Sequence, residues 1–185
     1  MLPVKDNIPT DRLPLVTLLL IAAGIVLHVT LRHDGGLLWL LADAFFLAIF
    51  GPSIEDSMSR PRFLAFCLLG AAVALAVRLA IDPDATVLAP VAATGAVAAV
   101  VAGYALLYRR ARVVTMLLVP FAFTLVEVPA WILLALWLPL QALLAGGAAF
   151  AAQCGGFAFG LLAIRAFAQR RKLQAPQPPA IAALS

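Results

Sequence analysis

Six apolar stretches dominate this chain, near residues 14–31, 36–51, 63–81, 86–108, 124–142 and 146–168. Charged or proline-containing punctuation separates them, and most approach the roughly 20 residues that a helix needs to cross a hydrocarbon core. Inside lipid every backbone N–H and C=O must find a partner within the protein, so only helices and closed barrels can span it. The stretches lack the alternation of apolar and polar residues that barrel strands carry. They predict an all-α integral membrane protein, a single bundle of six transmembrane helices over residues 14–168. Residues 1–13 form a lead-in, and 169–185, with Gln174-Ala175-Pro176-Gln177-Pro178-Pro179, read as a disordered tail. The second stretch is the shortest, and a tilted or protein-sheltered helix is expected there. Composition agrees: 64% of the 185 residues are hydrophobic and only 12% charged, against roughly 45–50% and 25% in a soluble domain. A cleaved signal peptide is not expected, since no short apolar region leads into a polar mature domain.

The net charge of +4 is unevenly placed. Lys5, Arg12, Arg60, Arg62, Arg109, Arg110, Arg112, Arg165, Arg170, Arg171 and Lys172 fall on one side of a six-span arrangement. Arg32 and Arg78 fall on the other, beside Asp34, Asp82 and Asp84. The excess of basic residues in cytoplasmic loops predicts a multi-pass protein of the cell (inner) membrane with both termini cytoplasmic. Read this way the charge is topogenic, and neither nucleic acid nor a specific lipid is needed to explain it. The expected partners are the lipid bilayer and other integral membrane proteins.

Small residues recur every four positions in two of the stretches: Gly95, Ala99 and Gly103 in the fourth, Ala152, Gly156 and Gly160 in the sixth. Such residues share one helix face. In lipid, where apolar surface gives no net drive to associate, a smooth face lets two backbones approach closely. These six are expected to pack helices together. Polar residues are sparse. Asp43 is the clear mid-span acid, and intramembrane ionisable groups are functional candidates. Cys67 and Cys154 have neither redox nor zinc spacing and read as buried free thiols. His28, near a helix end, reads as structural rather than as a ligand, so no metal and no cofactor is expected. Arg78 and Arg165, at span ends, are expected to extend their charged heads to the interface.

Two segments carry a family likeness: Ala92-Ala93-Thr94-Gly95 and Ala152-Gln153-Cys154-Gly155-Gly156-Phe157-Ala158-Phe159-Gly160. They resemble the G-x-S-G and A-H-x-G-G-F-x-x-G motifs of the rhomboid family of intramembrane serine proteases. Gly51-Pro52-Ser53-Ile54-Glu55-Asp56, Asp82-Pro83-Asp84, Arg109-Arg110-Ala111-Arg112 and Glu127-Val128-Pro129-Ala130-Trp131 are similar to the family in order and spacing. The resemblance implies a rhomboid-like bundle in which the fourth and sixth helices bring a serine to a histidine. Here Thr94 holds the serine position and Gln153 the histidine position. On the oxyanion side, aligned on Gly35-Gly36, Trp39 stands at a histidine position and Asp43 at an asparagine position. The family's long first loop, with its Trp-Arg pair, has no counterpart between Leu31 and Gly36.

A glutamine amide cannot act as a base near neutral pH, and the histidines, His28 and His33, are placed at the outer ends of their spans. With no catalytic residue assigned, the chain is expected to be no enzyme. It would be an inactive rhomboid homologue, of pseudoprotease type, that binds transmembrane partners, for instance as accessory subunit of a larger membrane complex. Two rivals stand beside this reading. One is an active intramembrane peptidase with an altered catalytic set using Thr94; the other is a small transporter using Asp43.

Overall fold

A computed structural model describes residues 2–6, 13–31, 37–86, 88–108, 112–119, 122–129 and 147–168. Among the described residues five helices form the bundle: α1 (Leu15–Leu31), α2 (Leu37–Ser57), α3 (Arg60–Ile81), α4 (Ala89–Leu107) and α5 (Gly147–Phe167). Their ends follow local chemistry. Proline sits in the first turn of α3 and of α4, where a missing N–H leaves no bond unmade. At the end of α3 the Asp82 N–H bonds to the Arg78 carbonyl, and Pro83 follows.

α4 is the hub, packed against α2, α3 and α5. Its residues Val97 to Tyr104 are buried in an unbroken run. The pairing of residues gives the helix directions. Gly70 of α3 faces Ala99, and Ala74 faces Gly95, so α3 runs antiparallel to α4. Gly156 of α5 lies on Gly95, Gly160 on Ala99 and Ile164 on Gly103, so α5 runs parallel to α4. The rings of Phe50 and Tyr104 meet at 4.7 Å, and Tyr108 Oη donates to the Ser53 carbonyl at 3.1 Å. These contacts bring the end of α2 to the end of α4. One end of the bundle therefore collects the starts of α1 and α3 and the ends of α2, α4 and α5.

At that end α1 is tied down by an acid from a distant stretch of sequence. The Glu55 carboxylate accepts hydrogen bonds from the Val16 N–H (3.1 Å), the Thr17 N–H (2.9 Å) and Thr17 Oγ1 (2.8 Å). The first amides of a helix have no partner within it, and negative charge there complements the helix dipole. Gly51, one turn before Glu55, makes room for this: a Cβ there would lie 2.7 Å from Thr17 Cγ2. Much of α1 otherwise faces outward, with Leu19, Val26 and Val29 all more than half exposed. An outward apolar face suits lipid and leaves α1 held mainly by α2.

Three helices, α3, α4 and α5, are long and apolar enough to cross a membrane, and the Leu15–Leu27 part of α1 is a shorter apolar stretch. The helical membrane architecture stands in this form. Two boundaries expected from sequence are corrected. The second stretch does not end at residue 51: α2 continues through Pro52 to Ser57, because Glu55 is held inside by α1. The fifth stretch, expected as a helix over 124–142, begins instead as extended chain, and residues 130–142 lie outside the described residues. The protein contains a three-stranded antiparallel sheet of β1 (Leu2–Asp6), β2 (Arg112–Val119) and β3 (Ala122–Pro129), in the order β1-β2-β3. β2 and β3 pair in register from Arg112↔Pro129 to Val119↔Ala122, and β1 pairs with β2 with an irregularity between Pro3 and Lys5. Val, Thr and Leu fill β2, a composition that favours pleated chain once a partner strand is present. The expected tail over 169–185 lies outside the described residues.

Replacing Glu55 with Ala strands two buried amides and a hydroxyl. The expected loss is about 3 kcal/mol in detergent unfolding, with about 1 kcal/mol for Thr17→Val, which removes one bond of the set. Equal unfolding midpoints for Glu55→Ala and the unaltered protein would show that α1 is not held this way.

Candidate functional site

Close backbone contact with both α3 and α5 runs along α4. A Cβ on Gly156 would lie 2.5 Å from the Gly95 carbonyl oxygen, and one on Gly160 would strike the Ala99 carbonyl oxygen. On the other side of α4 a Cβ on Gly70 would lie 2.7 Å from Ala99 Cβ, and one on Gly95 would run into Ala74 Cβ. At these positions any side chain beyond hydrogen meets backbone or a short neighbour that cannot yield. Backbone-to-backbone contact of this kind is the association that lipid allows without a hydrophobic drive. Gly103 is sealed by Ile164, and Ala152 is buried with Ala74 and Val91 in a small apolar cluster.

Thr94 and Gln153 are positioned by this contact. Thr94 precedes Gly95 in the second turn of α4 and is partly buried. Its Oγ1 lies 3.1 Å from both the Pro90 and the Val91 carbonyl oxygens, so its proton is directed back into its own helix. Gln153 lies one turn before Gly156 on α5 and is 5% exposed. Since Gly156 sits on Gly95, the two side chains are carried by neighbouring turns of two parallel helices. To act as a nucleophile, Thr94 would have to turn its hydroxyl out of these helix bonds and pass its proton to a base.

Trp39 and Asp43 lie on α2. Phe50 of α2 meets Tyr104 of α4. Counting back at about 1.5 Å per residue, Trp39 falls roughly 16 Å below that contact, Asp43 roughly 10 Å and Thr94 roughly 15 Å. Trp39 and Thr94 thus stand at similar distances from that contact along their helices, and Asp43 about one turn nearer to it. Asp43 is partly buried. His28 lies in the last turns of α1, and His33 lies outside the described residues. Cys67 is buried and Cys154 half-buried, both as free thiols. No group of three or more His, Cys, Asp or Glu able to hold a metal occurs among the described residues.

Two polar features went unforeseen in the sequence. Glu55 reads there as a charge at a span exit, yet it is 5% exposed and caps α1 across 38 and 39 residues of chain. No local spacing signals that pairing. Arg78 was expected to reach the interface. Its side chain is 17% exposed, pairs with Asp82 at 2.9 Å through one terminal nitrogen, and buries the other without a hydrogen-bond partner.

The family model for the rhomboid domain matches residues 25–170, four-fifths of the chain and all of α2 to α5. The chain belongs to the rhomboid family. No curated protein and no solved structure matches it. The match supports the resemblance read from the two motif segments, and it corrects one expectation. A chain expected to be no enzyme carries a domain that belongs to a peptidase family and spans both Thr94 and Gln153. The residues at 94, 153, 39 and 43 and the short first loop do not establish loss of activity.

The glycine contacts give a direct test of this framework. Gly156→Ala and Gly160→Ala should each destabilise the protein by about 1–3 kcal/mol, since the added methyl meets backbone. Gly147→Ala, where nothing lies within 4 Å of the added methyl, should leave unfolding in detergent unchanged. Tolerance of alanine at both 156 and 160 would contradict the close packing of α5 on α4.

Proposed function

We propose that this rhomboid-family protein recognises transmembrane segments of other integral membrane proteins, using the part of the bundle that holds Thr94, Gln153, Trp39 and Asp43. The observation that carries the reading is the parallel, backbone-close contact of α4 with α5, which sets Thr94 and Gln153 on adjacent turns. Both are polar groups in a setting otherwise built of Ala, Gly and Val. In lipid, a partner helix that offers a hydrogen bond to such a group gains about 1 kcal/mol for each bond made. The protein would sit in the cell membrane with six crossings and its basic end in the cytoplasm, as the distribution of Lys and Arg favours. Association with a larger membrane assembly fits a chain with so little polar surface outside the bundle.

Family membership favours a second reading, in which the bound segment is cut and Thr94 Oγ1 is the nucleophile. Gln153 would then orient the segment by hydrogen bonding, while the hydroxyl proton passes through water to the leaving amine as the peptide bond breaks and the Thr94 ester forms.

One experiment addresses both. The full chain, carrying a photoreactive group at position 153, is expressed in native membranes, illuminated and purified in mild detergent. Crosslinking to membrane proteins is the expected result, and labelling by lipid alone would contradict partner recognition. Time courses of the captured partner with Thr94→Ala and Thr94→Ser separate the readings. The peptidase reading requires fragments that vanish with Ala and persist with Ser; fragments indifferent to residue 94 would remove it.

A further inference from the structure

Among the described residues, three arginines at the end of the bundle make no ion pair with the acids beside them. In the sequence these charges only set orientation. In the structure Arg60 and Arg62, at the start of α3, and Arg165, in the last turn of α5, are exposed. The ring of Phe66 meets that of Phe167 at 5.5 Å, which places the start of α3 beside the end of α5. Lys5 and Arg112, on paired strands, belong to the same end, since β2 follows α4 and β1 lies against α2. The acids nearest in sequence, Glu55 and Asp56, are 5% and 7% exposed, and both oxygens of Glu55 are taken up by α1. Asp6 and Glu127 lie on the sheet, opposite Val113 and Val114. The three exposed arginines make no ion pair with a described residue. At the opposite end, by contrast, Arg78 is paired with Asp82.

We propose that this end is a binding surface for anionic phospholipids, with Arg60, Arg62 and Arg165 holding the headgroup phosphates. The position suits that partner. These arginines begin or end helices whose flanking residues Leu64, Leu161 and Leu162 are exposed and apolar, so the cations stand at the boundary between headgroups and acyl chains. Guanidinium groups bind phosphate oxygens in pairs, and basic residues beside an anionic leaflet each add attraction that salt screens. Topogenic charge needs only net positive charge in a loop. A binding surface needs that charge exposed and unpaired, and among the described residues these three have no ion-pair partner.

The test uses the full chain reconstituted in phosphatidylcholine vesicles that carry a trace of spin-labelled phosphatidylglycerol or spin-labelled phosphatidylcholine. The fraction of each label immobilised on the protein is read by electron spin resonance. At low salt the anionic label should be held about threefold or more over the neutral one. The preference should fall to about one in roughly 1 M salt, where the screening length is about 3 Å. It should also fall to about one in Arg60→Gln/Arg62→Gln/Arg165→Gln, and survive in the matching triple Lys variant. Since all three side chains are exposed, the variants should unfold like the unaltered protein. A ratio of one in the unaltered protein overturns the proposal, as does a preference that survives the triple Gln change. Abolition of the preference by millimolar inorganic phosphate at constant ionic strength overturns it too, since a free anion would then be the ligand.

Discussion

The structure depends on how near α4 can come to its neighbours. Apolar side chains gain nothing by leaving lipid for the protein interior, so helices must be held by dispersion at close range and by backbone contact. The Gly95–Gly156 and Ala99–Gly160 pairs supply that range on one side of α4, and Gly70–Ala99 and Gly95–Ala74 on the other. Gly95 takes part in both contacts, which makes it the point where α3, α4 and α5 converge. Thr94 is its neighbour in sequence, so its place in the bundle is set by that close packing.

Polar groups are treated differently at the two levels of the molecule. At the basic end they are consumed by structure: Glu55 caps α1, Ser57 Oγ donates to the Ile54 carbonyl, and Tyr108 bonds to Ser53. Glu55 and Asp56 are buried while Arg60, Arg62 and Arg165 are exposed, so the described surface at that end is cationic. In the layer of Thr94 the polar groups are few and belong to separate helices. Thr94 satisfies its hydroxyl within α4, and that arrangement must be exchanged before any partner or substrate can use it. Family membership rests on the whole matched domain and not on residues 94 and 153 alone.

The parts of this fold that were legible in the sequence are those set by local periodicity. The small residues spaced by four on the fourth and sixth stretches face one another because that spacing fixes one side of a helix. The family was legible because motif order and spacing survive exchange of the central residues. The sheet was not. An apolar run of eight residues such as 122–129 suits a helix or a strand equally by periodicity, and its state depends on β2, which in turn pairs with residues 2–6. The Glu55 cap was hidden for the same reason, since its partners lie 38 and 39 residues away. Absence of enzymatic activity was over-read from residues 94, 153, 39 and 43 and the short first loop, because chemistry depends on the donors and acceptors actually placed together and not on motif letters alone.

The measurement that bears most directly on this arrangement is disulfide formation between Thr94→Cys and Gln153→Cys in native membranes, with Cys67 and Cys154 replaced by Ala. If α4 and α5 run parallel with Gly156 on Gly95, mild oxidation should join the two positions readily. The pair Thr94→Cys and Arg165→Cys, at opposite ends of the bundle, should stay reduced. Failure of the first pair to react, or equal reaction of both, would contradict the placement of the site.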